Sequence, residues 1–188
     1  MTKKFKLPTK SDLKGRTSTI NNAFVIAITP RIPPKESELA GYYTDLGIEE
    51  GKCAYCLIGD GNCRDHLKPL VDQGMPTGYI TDIHNIVPCC QKCNSSKGSK
   101  SFREWYIDDK NVERLKAMGL SAETIASRYQ TICCFEDKIP EPLNYEKIVG
   151  KKLWNEYVKR KNEFYAALED NQKFCNKLKD IIDKKIRK

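Results

Sequence analysis

Apolar residues along this chain fall into three textures, each predicting a different kind of element. Residues 23–29 form a compact β-branched and aromatic run, Ala-Phe-Val-Ile-Ala-Ile-Thr, followed by Pro30, Pro33 and Pro34. That composition, closed by prolines, predicts a strand. Residues 36–46 then read as a short helix. From 51 to 100 the apolar runs shorten and are cut by Gly59, Gly61, Gly74, Pro76 and Gly78, so this stretch predicts a loop-rich unit with too thin a core to stand without a staple. Helical texture follows at 101–106 and 112–118, with Gly119 as a stop and Ser121 as the next N-cap. After Pro140 and Pro142, residues 145–186 carry Ile148, Trp154, Tyr157, Phe164, Leu168, Cys175, Leu178 and Ile182 near a helical period. The polar Asp170-Asn171 step leaves one long helix or two equally open. The class expected is α+β.

Composition narrows the function classes. Of 188 residues, 39% are hydrophobic and 31% charged, which excludes collagen-like and simple disordered chains. The longest aliphatic run, residues 24–28, is far short of the ~20 residues a membrane-spanning helix needs. No apolar segment follows the charged N-terminal residues, so no secretory signal is read and a cytoplasmic protein without membrane partners is expected. The net charge of +8 is uneven: residues 1–18 carry +5 and residues 151–188 carry +6, leaving the middle slightly acidic. Basic ends around such a centre fit a polyanion-binding protein.

Nine cysteines in a chain with no export signal argue against a disulfide framework and for metal. Cys53-Ala-Tyr-Cys56 and Cys90-Gln-Lys-Cys93 are two C-x-x-C pairs with 33 residues between them. Two such turns brought together offer four thiolates to a tetrahedral ion, and Zn2+ suits that set. Cys89 competes with Cys90 for the third place; Cys90 keeps the two-residue spacing. Cys63, Cys133, Cys134 and Cys175 show no comparable pattern and read as core residues.

Between the pairs lie Arg64-Asp65-His66-Leu67-Lys68-Pro69 and His84-Asn85-Ile86-Val87-Pro88, and after them Cys93-Asn94-Ser95-Ser96-Lys97-Gly98. This order of motifs, covering about residues 53–105, resembles the HNH endonuclease family. The resemblance implies a ββα-metal unit at 51–106, stapled by a four-cysteine zinc site. A basic N-terminal arm with a strand and a short helix (1–50) would precede it. A basic, mainly helical region (107–188) serving dimerisation or DNA binding would follow. It implies His66 as the general base and Asp65 with Asn94 as oxygen ligands of a catalytic Mg2+ or Mn2+. Asn85 would hold the loop that orients the histidine. A neutral imidazole suits a base, and a hard cation suits oxygen donors. Asp65 and His66 are strand neighbours, so a distortion or the strand's end must let both reach one phosphate. His84 is the alternative base. Lys97, Lys100 and Arg103, spaced by three, and Lys68 are candidate phosphate contacts. The expected activity is hydrolysis of double-stranded DNA to 5′-phosphate products by a small type II restriction endonuclease, acting as a homodimer to cut both strands. The alternatives are a phage-type, homing or non-specific nuclease, or a zinc-stapled binding module without catalysis.

Overall fold

The computed structural model describes residues 12–186; residues 1–11 of the basic N-terminal arm expected over 1–50 lie outside them. The chain divides into two compact units, one spanning residues 28–144 and the other built from the two ends, with residues 12–27 and 145–186 described. No helix among the described residues is long and apolar enough to cross a membrane.

In the unit built from the ends, a 3-10 turn at Lys14–Arg16 leads into helix α1, Thr17–Ile28. The strand expected over residues 23–29 is therefore a helix. The physical reason is a tertiary partner: Phe24 packs edge-on against Tyr157 and Phe164, with ring centroids 6.3 and 5.8 Å away, and Val25 is fully buried while Ile26 is half exposed. A β-branched run has only a weak intrinsic preference, and one-sided burial against a helix overrides it. The partner is the last helix, a single rod over Lys151–Ile186. At ~1.5 Å per residue it is about 54 Å long. Of the two readings left open at Asp170-Asn171, the single helix is the one found. The break falls at Gly150, whose φ of 83° separates the rod from the short helix Tyr145–Val149. Tyr145, Trp154 and Tyr157 stack across that corner at 6.0 and 5.3 Å. Phe174, Leu178, Ile181 and Ile182 on the far half of the rod are exposed.

Residues 28–144 hold the cysteines Cys53 to Cys93 and the candidate chemistry, and the segment 51–106 lies wholly inside this unit. Helix α2 covers Glu36–Leu46, as its pattern predicts, and stops at Gly47 in the left-handed conformation. Strand β1, Cys63–His66, pairs antiparallel with β4, Ile86–Cys89, in the register Cys63↔Cys89 to His66↔Ile86. Between them a miniature hairpin, β2 Val71–Asp72 and β3 Met75–Pro76, turns through Gln73 and Gly74, both at positive φ, the requirement of a two-residue primed turn. Directly after β4 comes helix α3, Gln91–Lys97, so β1, β4 and α3 form a strand–strand–helix unit. Three more helices follow: α4 Phe102–Ile107, capped by Ser101; α5 Asp109–Ala117, stopped near Gly119; and α6 Ala122–Glu136, capped by Ser121.

These helices supply what the loop-rich segment lacks. Tyr55 and Leu67 from that segment are buried with Phe102, Trp105, Tyr106, Leu115 and Ile132 in one core. Phe102 stacks on Tyr55 and Tyr129, both at 5.8 Å.

Candidate functional site

Four buried thiols converge where the two knuckles meet. The Sγ atoms of Cys53, Cys56, Cys90 and Cys93 all lie within 4.8 Å of one another, and Cys56 and Cys90 are 3.9 Å apart. A tetrahedron with Zn–S bonds of ~2.3 Å has edges of ~3.8 Å, so the group has the donor set and spacing for a structural metal such as zinc. Local geometry builds it. The first knuckle closes through Cys53 N to Gly59 O and Leu57 N to Cys53 O, with Leu57 in the left-handed region, and Ala54 N reaches Pro88 O to dock the knuckle on β4. The second knuckle straddles the start of α3, where Cys90 is the N-cap. Gly59 is required: a Cβ there would stand 2.7 Å from Cys90 Cβ and 2.9 Å from its sulfur. Cys89, in β4 opposite Cys63, lies outside the group, and Cys90 is the member of the second knuckle that joins it with Cys93.

Hydrogen bonding from Cys53 and Cys93 drives the Cys56 thiol far down, while Cys53 is pushed up to about 11, chiefly by its bond to Cys56, and Cys93 is raised well above its ordinary value. Four thiolates with a divalent ion would carry −2, and two arginines attend them, Arg114 half-buried and Arg128 buried. Arg114 points Nη1 and Nη2 at Cys93 Sγ, both at 3.6 Å. Arg128 bonds Ala54 O through Nε at 2.5 Å, and its buried Nη2 has no partner among the described residues. An unpaired buried guanidinium is costly unless an anionic neighbour offsets it. Neither arginine stands out in the sequence, since each sits on a helix far from the cysteines.

Beside this centre, β1 ends at His66. Asp65 and His66 alternate across the strand: Asp65 is buried, Arg64 exposed and His66 half-buried. Asp65 Oδ2 accepts from the Tyr55 hydroxyl at 2.5 Å and from Lys97 Nζ at 3.1 Å, and Lys97 also bonds the His66 carbonyl at 3.0 Å. Lys97 thus braces α3 to both residues. His66 Nε2 lies 3.0 Å from Thr81 Oγ1. Burial lowers the imidazole's pKa, with Lys97 and Arg31 pushing the same way and Asp65 and Asp82 opposing, so the ring is neutral near pH 7.

Asn85, fully buried, ties the loop after β1 to the segment before β4. Its Oδ1 accepts from Lys68 N at 2.8 Å, and its Nδ2 donates to Lys68 O at 3.1 Å and Ile80 O at 3.0 Å. Asn94 sits half-buried in the first turn of α3, next to Cys93, and its carboxamide makes no hydrogen bond among the described residues. His84 instead approaches Glu38 at 3.8 Å.

The four basic candidates do not form one solvent-facing row. Lys97 is 2% exposed, while Arg103 pairs with Glu136 and Asp137, and Lys68 reaches Glu136 at 3.3 Å. Of the four, only Lys100 is exposed without an ion pair among the described residues. A spacing of three aligns side chains only along a continuous helix, and α3 ends at Lys97 before Gly98 turns the chain.

Comparison with family models, curated proteins and solved structures returns no match.

Proposed function

We propose that this protein is a metal-dependent endonuclease of the HNH type, hydrolysing phosphodiester bonds in double-stranded DNA to 5′-phosphate products, with the sequence specificity of a type II restriction enzyme. The observation that carries this reading is His66: a neutral imidazole at the end of a strand, oriented by Thr81, with a buried carboxylate adjacent in sequence. In this reading His66 takes the proton of the attacking water, and Asn85 keeps the His66–Lys68 turn in place. In this reading Asp65 and Asn94 would offer a carboxylate and a carboxamide oxygen, the donors that a hard cation such as Mg2+ or Mn2+ prefers. When bound, such an ion stabilises charge on the phosphate and the leaving oxygen. Zinc in the four-cysteine group acts only as a staple. The exposed apolar residues on the last helix support a homodimer with one site per strand, which light scattering checks.

A second reading is favoured by one contact. The Asp65 carboxylate is already neutralised by the Lys97 ammonium, as in a zinc-stapled binding module that cuts nothing. Plasmid digestion with Mg2+ separates the two. Cutting by wild type that is lost in folded, zinc-loaded His66→Ala and Asp65→Asn proteins supports the nuclease. Binding without cutting by wild type leaves the module.

A further inference from the structure

On the His66 face of the β1–β4 hairpin lies a cavity of about 430 Å³ to which the chemistry above assigns no role. It is near the lower end of the ~300–1,000 Å³ typical of small-molecule sites, room for one flat ring system rather than a helix or strand. One wall is the face of α2 with Leu39, Tyr42 and Tyr43; another is the segment after α1, with Arg31 and Ile32. Arg64 and Thr81 complete it on the hairpin side.

Three observations connect this cavity to His66. Thr81, whose hydroxyl holds His66 Nε2, is part of its wall. Arg64 and His66 are two apart on β1 and so project from the same face, opposite Asp65. Arg31 pairs backbone to backbone with Thr81 in an isolated β-bridge, with Ile32 N donating to Thr81 O at 2.9 Å and Thr81 N to Pro30 O at 3.1 Å.

The lining specifies the occupant. Ile32 and Leu39 are large apolar side chains left 53% and 46% exposed around a concavity. Tyr42 is fixed by its hydroxyl bond to Ile86 O at 2.8 Å and meets Tyr43 edge-on at 5.2 Å. The two arginines make the mouth cationic. Arg64 is anchored by Nη1 bonds to Gly61 O and Cys63 O, whereas Asp82, the one acid in the lining, is committed to the backbone N–H groups of His84 and Asn85. Aromatic and aliphatic walls under a cationic rim suit a ligand with an apolar ring face and an anionic backbone, which is a nucleotide.

We infer that this cavity seats one unpaired nucleobase of the nucleic-acid strand beside the scissile phosphate, with Arg31 and Arg64 on the flanking phosphates. The inference rests on the nuclease reading. A duplex must therefore open at one nucleotide to occupy the site, and a substrate with a base already unpaired binds without that cost.

The test uses the full chain, zinc-loaded, in Ca2+ to hold cutting off, with two DNA duplexes of the same sequence. One is fully paired; the other carries a single bulged 2-aminopurine. The expected result is tighter binding of the bulged duplex by about tenfold or more, with quenching of 2-aminopurine emission as the base stacks. Tyr43→Ala and Ile32→Asp, the latter placing a carboxylate in the cavity at an exposed position, should each abolish both the preference and the quenching while far-UV circular dichroism stays unchanged. Equal affinity for the two duplexes, or a preference that survives in both folded variants, overturns the inference. Plasmid cutting in Mg2+ by the same wild-type preparation reports separately on the nuclease reading. Cutting with no bulge preference rejects the cavity alone, and neither cutting nor nucleic-acid binding rejects both.

Discussion

The ion pair between Lys97 and Asp65 is the contact on which the candidate site most depends, and its strength follows from where it sits. The ammonium and carboxylate are 3.1 Å apart with side-chain exposures of 2% and 10%. At an effective dielectric near 20 the bare attraction is about 5 kcal/mol, much of it offset by desolvation of both groups. Removing one partner alone is different, because the other is left buried and uncompensated. Lys97→Met should therefore destabilise the 28–144 unit by about 3–5 kcal/mol, leaving Asp65 with only the Tyr55 hydroxyl. Asp65→Asn should cost less, since its side-chain oxygen still accepts from Tyr55. With both changes no charge is stranded, so the double variant should be more stable than the two losses added together predict, by a coupling of about 2 kcal/mol. Urea unfolding of the four proteins measures this. In a Trp154→Phe background Trp105, 1% exposed and the other of the chain's two tryptophans, reports on this unit alone. Millimolar Mg2+ should stabilise Lys97→Met more than wild type, because the ammonium no longer occupies Asp65 Oδ2. A coupling below about 0.5 kcal/mol would refute the reasoning.

Three further outcomes are expected. The purified protein should hold one zinc per chain by metal analysis, and stripping it should unfold the 28–144 unit, as cobalt substitution and circular dichroism would follow. Gly59→Ala should weaken metal retention by driving a methyl group into Cys90, and a zinc-free, folded wild-type protein would contradict the staple. His66 should titrate below the ordinary value near 6.5, as its ring proton signals in NMR would report. Because the folded state favours the neutral ring, its stabilising contribution is complete above the ordinary value. It is lost as pH falls through the lowered one, and His66→Gln should flatten that acid-side loss.

What was legible in the sequence was local. The two C-x-x-C spacings located all four members of the thiol group, because a tight turn presents both sulfurs whatever surrounds it. The bounds of α2, the stop at Gly119 and the cap at Ser121 were likewise readable, being properties of a few consecutive residues. Asp65, His66, Asn85 and Asn94 could be named from motif order, but not what each touches.

The tertiary structure decided everything that depends on a distant partner. It turned the residues 23–29 into helix by giving Phe24 a face to bury against. It drew Lys97 inside, where a phosphate contact was expected, because a buried carboxylate needed its charge. It left Cys89 in a strand, outside the thiol group that the two-residue spacing of Cys90 had picked out. Tyr55, Thr81, Arg114 and Arg128 joined the site from elements that no spacing rule connects. The physical reason is common to all of them: spacing along a chain encodes direction over one or two turns. Charge compensation, burial and hydrogen-bond satisfaction are instead settled among residues that meet only after the chain has folded.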